Sequence, residues 1–382
     1  YAALAGKGLL HREHPAVFPV IDRPVYQRKA EIADVRVGGD GFIFFLALQI
    51  LDFVVGVFGM KILHSLRQQI RKAFVLKGLA GGFLGVAIHH VVKGHFAQHH
   101  LRVVDKILVD WHTVFRLPEM QRERAAQGYP LLAEMPLVGI GTALRAAAET
   151  LIPLLAAQDV VRPHEAKLRA FFLDAAQGPE APVALAEAVL NETAESAESV
   201  GKIAAHLDIP VQVLLFAFSF MLGPVLRALV ELSPHGNGKE APWNVDGAWR
   251  QGYCPVCGAG PSIAYLDRPV FDEKNAFLAG GGGKKHLHCS LCGTDWTFRR
   301  GACPFCGEEG AGVMEILKEA GNALGERLDW CTRCKTYCPA VDLRERDTTP
   351  DLDVLALGML HMDMVAAKKG LQPIHPAFWN TF

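Results

Sequence analysis

Nine cysteines stand at positions 254, 257, 289, 292, 303, 306, 331, 334 and 338, and the 253 residues before them contain none. Eight of them form Cys-x-x-Cys pairs: Cys254 with Cys257, Cys289 with Cys292, Cys303 with Cys306, and Cys331 with Cys334. Thiols two residues apart suit metal better than a disulfide, because both can face one ion from a single tight turn. Glycine follows the second cysteine of the first three pairs, where it permits the positive φ such a turn needs, and lysine follows the fourth. A tetrahedral ion takes four thiolates, so two knuckles make one centre and four make two. Such a centre suits zinc and single iron alike, and only iron adds one-electron chemistry. Loss of the ions is expected to unfold this quarter of the chain, whose apolar content is thin.

Order along the chain suggests the partners. Cys257 and Cys289 are separated by 31 residues holding strand-like Ile263–Leu266 and His286–His288, and Cys306 and Cys331 by 24 holding Val313–Leu317 and Arg327–Trp330. Each gap accommodates a β-ribbon, so the first knuckle is expected to join the second and the third the fourth. No spacing rule excludes an interleaved pairing. Cys338 lies too close to the last knuckle for a centre of its own and reads as a small buried apolar residue.

The elements that must position these thiols follow from shifts in composition. The 382 residues are 50% hydrophobic and 21% charged with a net charge of −1, which excludes wholesale disorder and a small disulfide scaffold. Residues 1–120 carry 15 Lys/Arg against 9 Asp/Glu and nine of the sixteen histidines, and are expected to stand apart, as an extension, a poorly ordered segment or an extra domain. Gly41–Met60 is long enough to cross a bilayer, but Asp52 sits in its middle, where a charge costs about 3 kcal/mol, so no stable membrane insertion is expected. His89, His90, His95, His99 and His100 lack carboxylate or thiol company at ligand spacing, and adjacent histidines on a helix diverge. A solvated or irregular segment is the expectation there. The opening Tyr1–Arg12 lacks the order of a secretory leader, and a reducing cytoplasm suits the thiols.

Residues 121–245 hold a helical domain and linker. Ala143–Ala157, Glu165–Gln177, Val183–His206 and Val211–Leu232 repeat apolar residues at three-and-four spacing, enough for a bundle with Val211–Leu222 as its buried helix. Pro210 is expected in a first turn capped by Asp208. Ser233–Asp246 reads as a linker. The first ribbon occupies 246–300, the second 301–345, and 346–382 a C-terminal helix and tail, with Asp351–Gly370 acidic at its start and ending Lys368-Lys369-Gly370. The fold class is α+β: a helical domain, tandem rubredoxin-like or zinc-ribbon-like knuckle modules and a C-terminal helix.

Four stretches, Tyr253–Leu266, Leu287–Gly307, Trp330–Leu343 and Asp351–Gly370, together resemble the FdhE family of formate dehydrogenase accessory proteins. The linked order of four knuckles, Trp296 after the second, Arg300 before the third and the acidic terminal helix carry the resemblance, which reaches from about Ala125 to the C-terminus. It implies a cytoplasmic, non-enzymatic maturation protein that binds the formate dehydrogenase catalytic subunit through its helical region and two rubredoxin-like centres, iron-bound in the family. Cys254, Cys257, Cys289, Cys292, Cys303, Cys306, Cys331 and Cys334 carry over as metal ligands. Cys338 departs from the family pattern, which more often has an aliphatic residue there, and so does the 1–120 segment.

The alternative is a tandem zinc-ribbon nucleic-acid module. Residues 246–345 carry 12 Lys/Arg against 13 Asp/Glu, whereas phosphate binding needs a clustered positive excess, and Arg299 and Arg300 after Trp296 and Phe298 are the one local hint. No nucleic-acid partner is expected. No catalytic constellation is expected either: Asp342, Asp351, Asp353 and Asp363 read as ordinary helix-surface charges with no histidine base among them, and His361 as a packed or solvated side chain.

Overall fold

Apolar residues at three-and-four spacing fold as helices wherever a facing helix covers the stripe. The computed structural model describes residues 117–382 apart from 138, 158, 175–179, 192–193, 234–236, 238–239, 269–282, 319–323, 377–379 and 381–382. Gly41–Met60 and the cluster from His89 to His100 lie outside the described residues. A short α1 (Arg122–Ala126) leads into α2 (Ile140–Leu155), α3 (Glu165–Leu173), α4 (Glu180–Asn191), α5 (Ala194–Leu207) and α6 (Val211–Glu231). Leu214, Phe218, Met221, Leu222, Val225 and Leu226 of α6 are buried, each worth roughly 1.5–3 kcal/mol relative to exposure. Helix α2 packs on α6 and contributes buried Ala143, Ala147 and Ala148, whose small side chains permit close approach. By length and composition α6 could cross a bilayer, but most of it is buried in the protein.

Two details depart from the periodicity. The predicted helix Val183–His206 is two helices, because α4 stops at Asn191, whose side-chain oxygen accepts a hydrogen bond from the Glu134 backbone N–H at 2.7 Å. Asp208 does not cap α6. It turns with φ 51° and meets Lys167 at 2.7 Å, and Pro210 itself occupies the N-cap position.

Among the described residues seven strands form one mixed sheet: β1 (Ile263–Leu266), β2 (Lys285–His288), β3 (Asp295–Phe298), β4 (Met314–Leu317), β5 (Glu326–Cys331), β6 (Thr336–Asp342) and β7 (Gln372–Pro373). Their order is β3-β2-β1-β6-β5-β4, with β7 pairing β6 beyond β1. Each ribbon is an antiparallel meander, and the two join through the parallel pair β1–β6, with Ala264 opposite Ala340 and Leu266 opposite Asp342. Strand alternation divides the core. Ala264, Leu287, Trp296 and Ala340 enter one hydrophobic cluster with the bundle, whereas Ile263, Leu328, Tyr337 and Val341 enter another with Leu355, Met359 and Met362.

Leu355 belongs to α7 (Leu352–Gly358) and Met362 to α8 (Leu360–Lys368), and Met359 is the cap at which the predicted C-terminal helix divides into the two. Asp351 caps α7 by accepting from the N–H groups of Asp353 and Val354, and Gly370 ends α8 with φ 71°. The predicted linker has a structural duty. Asn237 and Asn244 accept from the N–H groups of Asp295 and Thr297 at 2.7 and 2.9 Å, and Trp243 Nε1 donates to the Asp295 carbonyl at 2.9 Å. These side chains satisfy the outer edge of β3 much as another strand would.

Candidate metal centres

The four knuckles share one turn. The residue after each second cysteine, Gly258, Gly293, Gly307 or Lys335, has φ between 61° and 83°. Its N–H bonds the carbonyl of the first cysteine at 2.8–3.0 Å. Lys335 therefore accepts a left-handed backbone that glycine takes more easily. The turn aims both thiols of a pair the same way, and the ribbon strands bring a second pair opposite.

Among the described residues two clusters result: Cys254, Cys257, Cys289 and Cys292, and Cys303, Cys306, Cys331 and Cys334. The sequential partners meet, and the interleaved arrangement does not occur. Within each cluster all four sulfurs lie within 4.8 Å of one another. Cys254 Sγ is 3.4 Å from Cys292 Sγ and Cys257 Sγ 3.5 Å from Cys289 Sγ; in the other cluster Cys303 and Cys334 are 3.7 Å apart and Cys306 and Cys331 3.8 Å. Metal–sulfur bonds of about 2.3 Å in a tetrahedron set the sulfurs roughly 3.8 Å apart, so both cages fit zinc or single iron. These separations exceed a disulfide bond of about 2.05 Å.

Electrostatics point the same way. Burial pushes the Cys254 thiol well above the ordinary range, and contact with Cys254 and the other sulfurs does the same to Cys257. Burial also opposes ionisation of Cys292, but hydrogen bonds from its neighbours, Thr294 among them, outweigh it and bring that thiol down. Four thiols crowded in a dry pocket resist carrying four negative charges unless a cation sits among them.

One hydroxyl supports each cage. Thr294 Oγ1 is 3.0 Å from Cys292 Sγ, and Thr336 Oγ1 is 3.0 Å from Cys334 Sγ, each two residues past the second cysteine of its knuckle. Toward a thiolate the hydroxyl donates, a second layer of support of the kind that tunes metal ligands. The shared Cys-x-x-Cys-x-Thr of the second and fourth knuckles was the available signal for these two residues.

The first cage is embedded in charge and core. All four of its cysteines are buried within the cluster that includes the bundle. Arg227 of α6 donates to the Ser290 carbonyl between Cys289 and Cys292, and its guanidinium pairs with Asp353 at 2.8 Å. Asp353 in turn meets His288 Nε2 at 3.1 Å, and His288 Nδ1 meets Asp295 at 2.8 Å. Burial opposes charge on both groups, yet Arg227 and His288 hold the Asp353 carboxyl below the usual range, and Asp353 with Asp295 pushes His288 up to about 10. With both ring nitrogens bound to carboxylates, His288 is a fixed cation and no free base.

The expected surface acids are thus corrected. Asp342 and Asp363 are buried: Asp342 accepts from Arg344 Nε at 2.7 Å, and Asp363 accepts from the Tyr337 hydroxyl at 2.8 Å. Asp353 has a histidine beside it after all, supplied by β2 and invisible from its own helix.

The second cage is shallower. Cys303 and Cys331 are buried with Val313, Cys334 is half-buried, and Cys306 is exposed. The Phe305 N–H donates to Cys303 Sγ at 3.4 Å, while Phe305 as a residue is 46% exposed. Cys338 belongs to neither cage. It lies on β6 opposite Asp329, buried, with burial raising its thiol to about 12.

No family model matches the chain. It is 28% identical over 136 residues to the FdhE homolog of Aquifex aeolicus, covering 34% of this chain and 42% of the relative. To the homolog of Shewanella baltica it is 29% identical over 123 residues, covering 32% and 36%, and to that of Pasteurella multocida 25% over 146 residues, covering 38% and 40%. The chain thus spans less than half the length of these relatives. Among solved structures, that of the FdhE protein from Pseudomonas aeruginosa superposes with a TM-score of 0.49 at 19% identity, over 77% of this chain and 93% of that one.

Proposed function

We propose, from the FdhE family that these homologues support as a premise, that the chain is an accessory protein of formate dehydrogenase maturation. In this reading it works in the cytoplasm, binds the catalytic subunit and performs no reaction of its own. The helical unit over 121–245 and the ribbons over 246–300 and 301–345 act as one binding body, with the C-terminal helices of 346–382 behind the sheet. The observation that carries the reading is the pair of four-cysteine cages on one sheet.

Cys254, Cys257, Cys289 and Cys292 would hold one ion, and Cys303, Cys306, Cys331 and Cys334 the other. Iron would supply one-electron chemistry there, and zinc would supply a fixed tetrahedral crosslink. The residues around the first cage orient it: Thr294 supports one sulfur, and Arg227 ties the knuckle backbone to α6. Metal held at that cage therefore fixes the ribbon against the bundle and shapes a surface for a partner.

The test is affinity capture of the full chain with the formate dehydrogenase catalytic subunit present alongside nucleic acid. Recovery of the subunit with metal-loaded protein, and its loss after chelation, is the expected result. Recovery of nucleic acid without the subunit would replace this reading with the zinc-ribbon one.

A further inference from the structure

Resting on the reading of two tetrathiolate centres, we infer that the centres divide their labour: the first ion is permanent, and the second is exchangeable through Cys306. Three observations converge on this. The first cage is closed on every side, with Cys254, Cys289 and Cys292 at 0% exposure and Cys257 at 4%, whereas Cys306 of the second is exposed and Cys334 half-buried. Core packing differs likewise: the first four sulfurs belong to the cluster that includes α6, Trp243 and Trp296, but the second cage shares its cluster with Val313 and Met314. Lastly, the first cage has a half-buried guanidinium tied to the backbone between two of its ligands, Arg227 at Ser290, which offsets thiolate charge and holds the knuckle closed.

Metal leaves a thiolate cage by associative ligand substitution, so the rate follows the access of the incoming donor to the ion. At the second centre an incoming thiolate or aminocarboxylate forms its bond to the ion as the Cys306 Sγ–metal bond breaks. The released thiolate takes up the proton that the incoming donor sheds on binding, and no oxidation state changes. Repetition of this exchange at the neighbouring sulfurs passes the ion to the acceptor. The reverse sequence loads the centre. The first cage offers no sulfur to such a donor without opening the core that the bundle shares. The second centre is accordingly the place where this protein takes up or gives away a soft cation.

The full chain loaded with zinc and mixed with excess 4-(2-pyridylazo)resorcinol tests this. The expected release has two equal phases differing by about tenfold or more in rate, and Cys306→Ser removes the fast phase and spares the slow one. Brief iodoacetamide treatment of the zinc-loaded wild type, read by mass spectrometry, should modify Cys306 before any of Cys254, Cys257, Cys289 or Cys292, a result independent of how the variant folds. Release of both ions at one rate, or early labelling at the first cage, overturns the inference while leaving two centres in place. Binding of fewer than two zinc ions overturns the reading beneath it as well.

Discussion

The two cysteine cages are built from the same turn, the same ribbon and the same threonine, yet they stand in different surroundings. The first is part of the hydrophobic cluster that includes the helical bundle and is joined to α6 by Arg227 and to α7 by Asp353. The second ends the sheet beside β4, where Glu315 and Ile316 face solvent. Local sequence sets the geometry of a cage. Its depth, and with it the consequence of losing the ion, is set by what packs outside. An ion in the first cage would rivet two layers of the protein, and one in the second would fasten a rim.

That contrast can be broken most severely by removing thiols. Binding of a structural zinc ion is worth about 10–16 kcal/mol in small peptides, comparable with the whole stability of a domain. Cys254→Ser with Cys257→Ser is therefore expected to lose one ion and melt the helices as well, followed by far-ultraviolet circular dichroism. Cys303→Ser with Cys306→Ser should lose the other ion and leave helical signal and melting close to wild type. Equal collapse in both double variants would erase the distinction.

A smaller blow falls on the charges beside the first cage. Asp353→Ala leaves buried His288 and half-buried Arg227 without their shared carboxylate, and loss of one partner from a buried network costs up to roughly 3–5 kcal/mol. Urea unfolding should show that loss, and a change below about 1 kcal/mol, the range of an exposed pair, would place Asp353 outside the network.

The smallest effect separates the C-terminal flank from both cages. Burial raises Asp363 to about 7, against the pull of its hydrogen bond from Tyr337. A carboxyl raised on folding favours the native state while protonated in it. Its contribution is full below about pH 4 and is lost as pH climbs through 7. Stability is expected to fall by roughly 2 kcal/mol between pH 5 and 7 on account of this group alone. Asp363→Asn should flatten that part of the profile without altering metal content. An unchanged slope in the variant would assign the pH dependence elsewhere.

The cages were readable from the sequence because their signals are local: a two-residue gap, a glycine after it, strand-like residues between. The grouping of knuckles needed only that neighbouring ribbons fold on themselves. Helices α2, α3 and α6 follow their apolar spacing, whereas the breaks at Asn191 and Met359 do not interrupt that spacing and stayed hidden. Arg227, His288 and Asp353 come from three elements, the first and the last 126 positions apart, and no pattern within any of them announces the contact. Asn237, Trp243 and Asn244 look like loop composition, and their role emerges only when the bare edge of β3 lies beside them.

The parallel seam between the ribbons has a consequence for biosynthesis. Ala264 pairs with Ala340, 76 positions downstream, so at about 5–20 residues per second its partner is translated roughly 4–15 s later. Over the last 48 of those positions, after Cys292, the nascent chain holds its first four thiols while β1 still lacks the strand that completes it. An ion captured on the ribosome would stiffen the early ribbon while β6 is still to come.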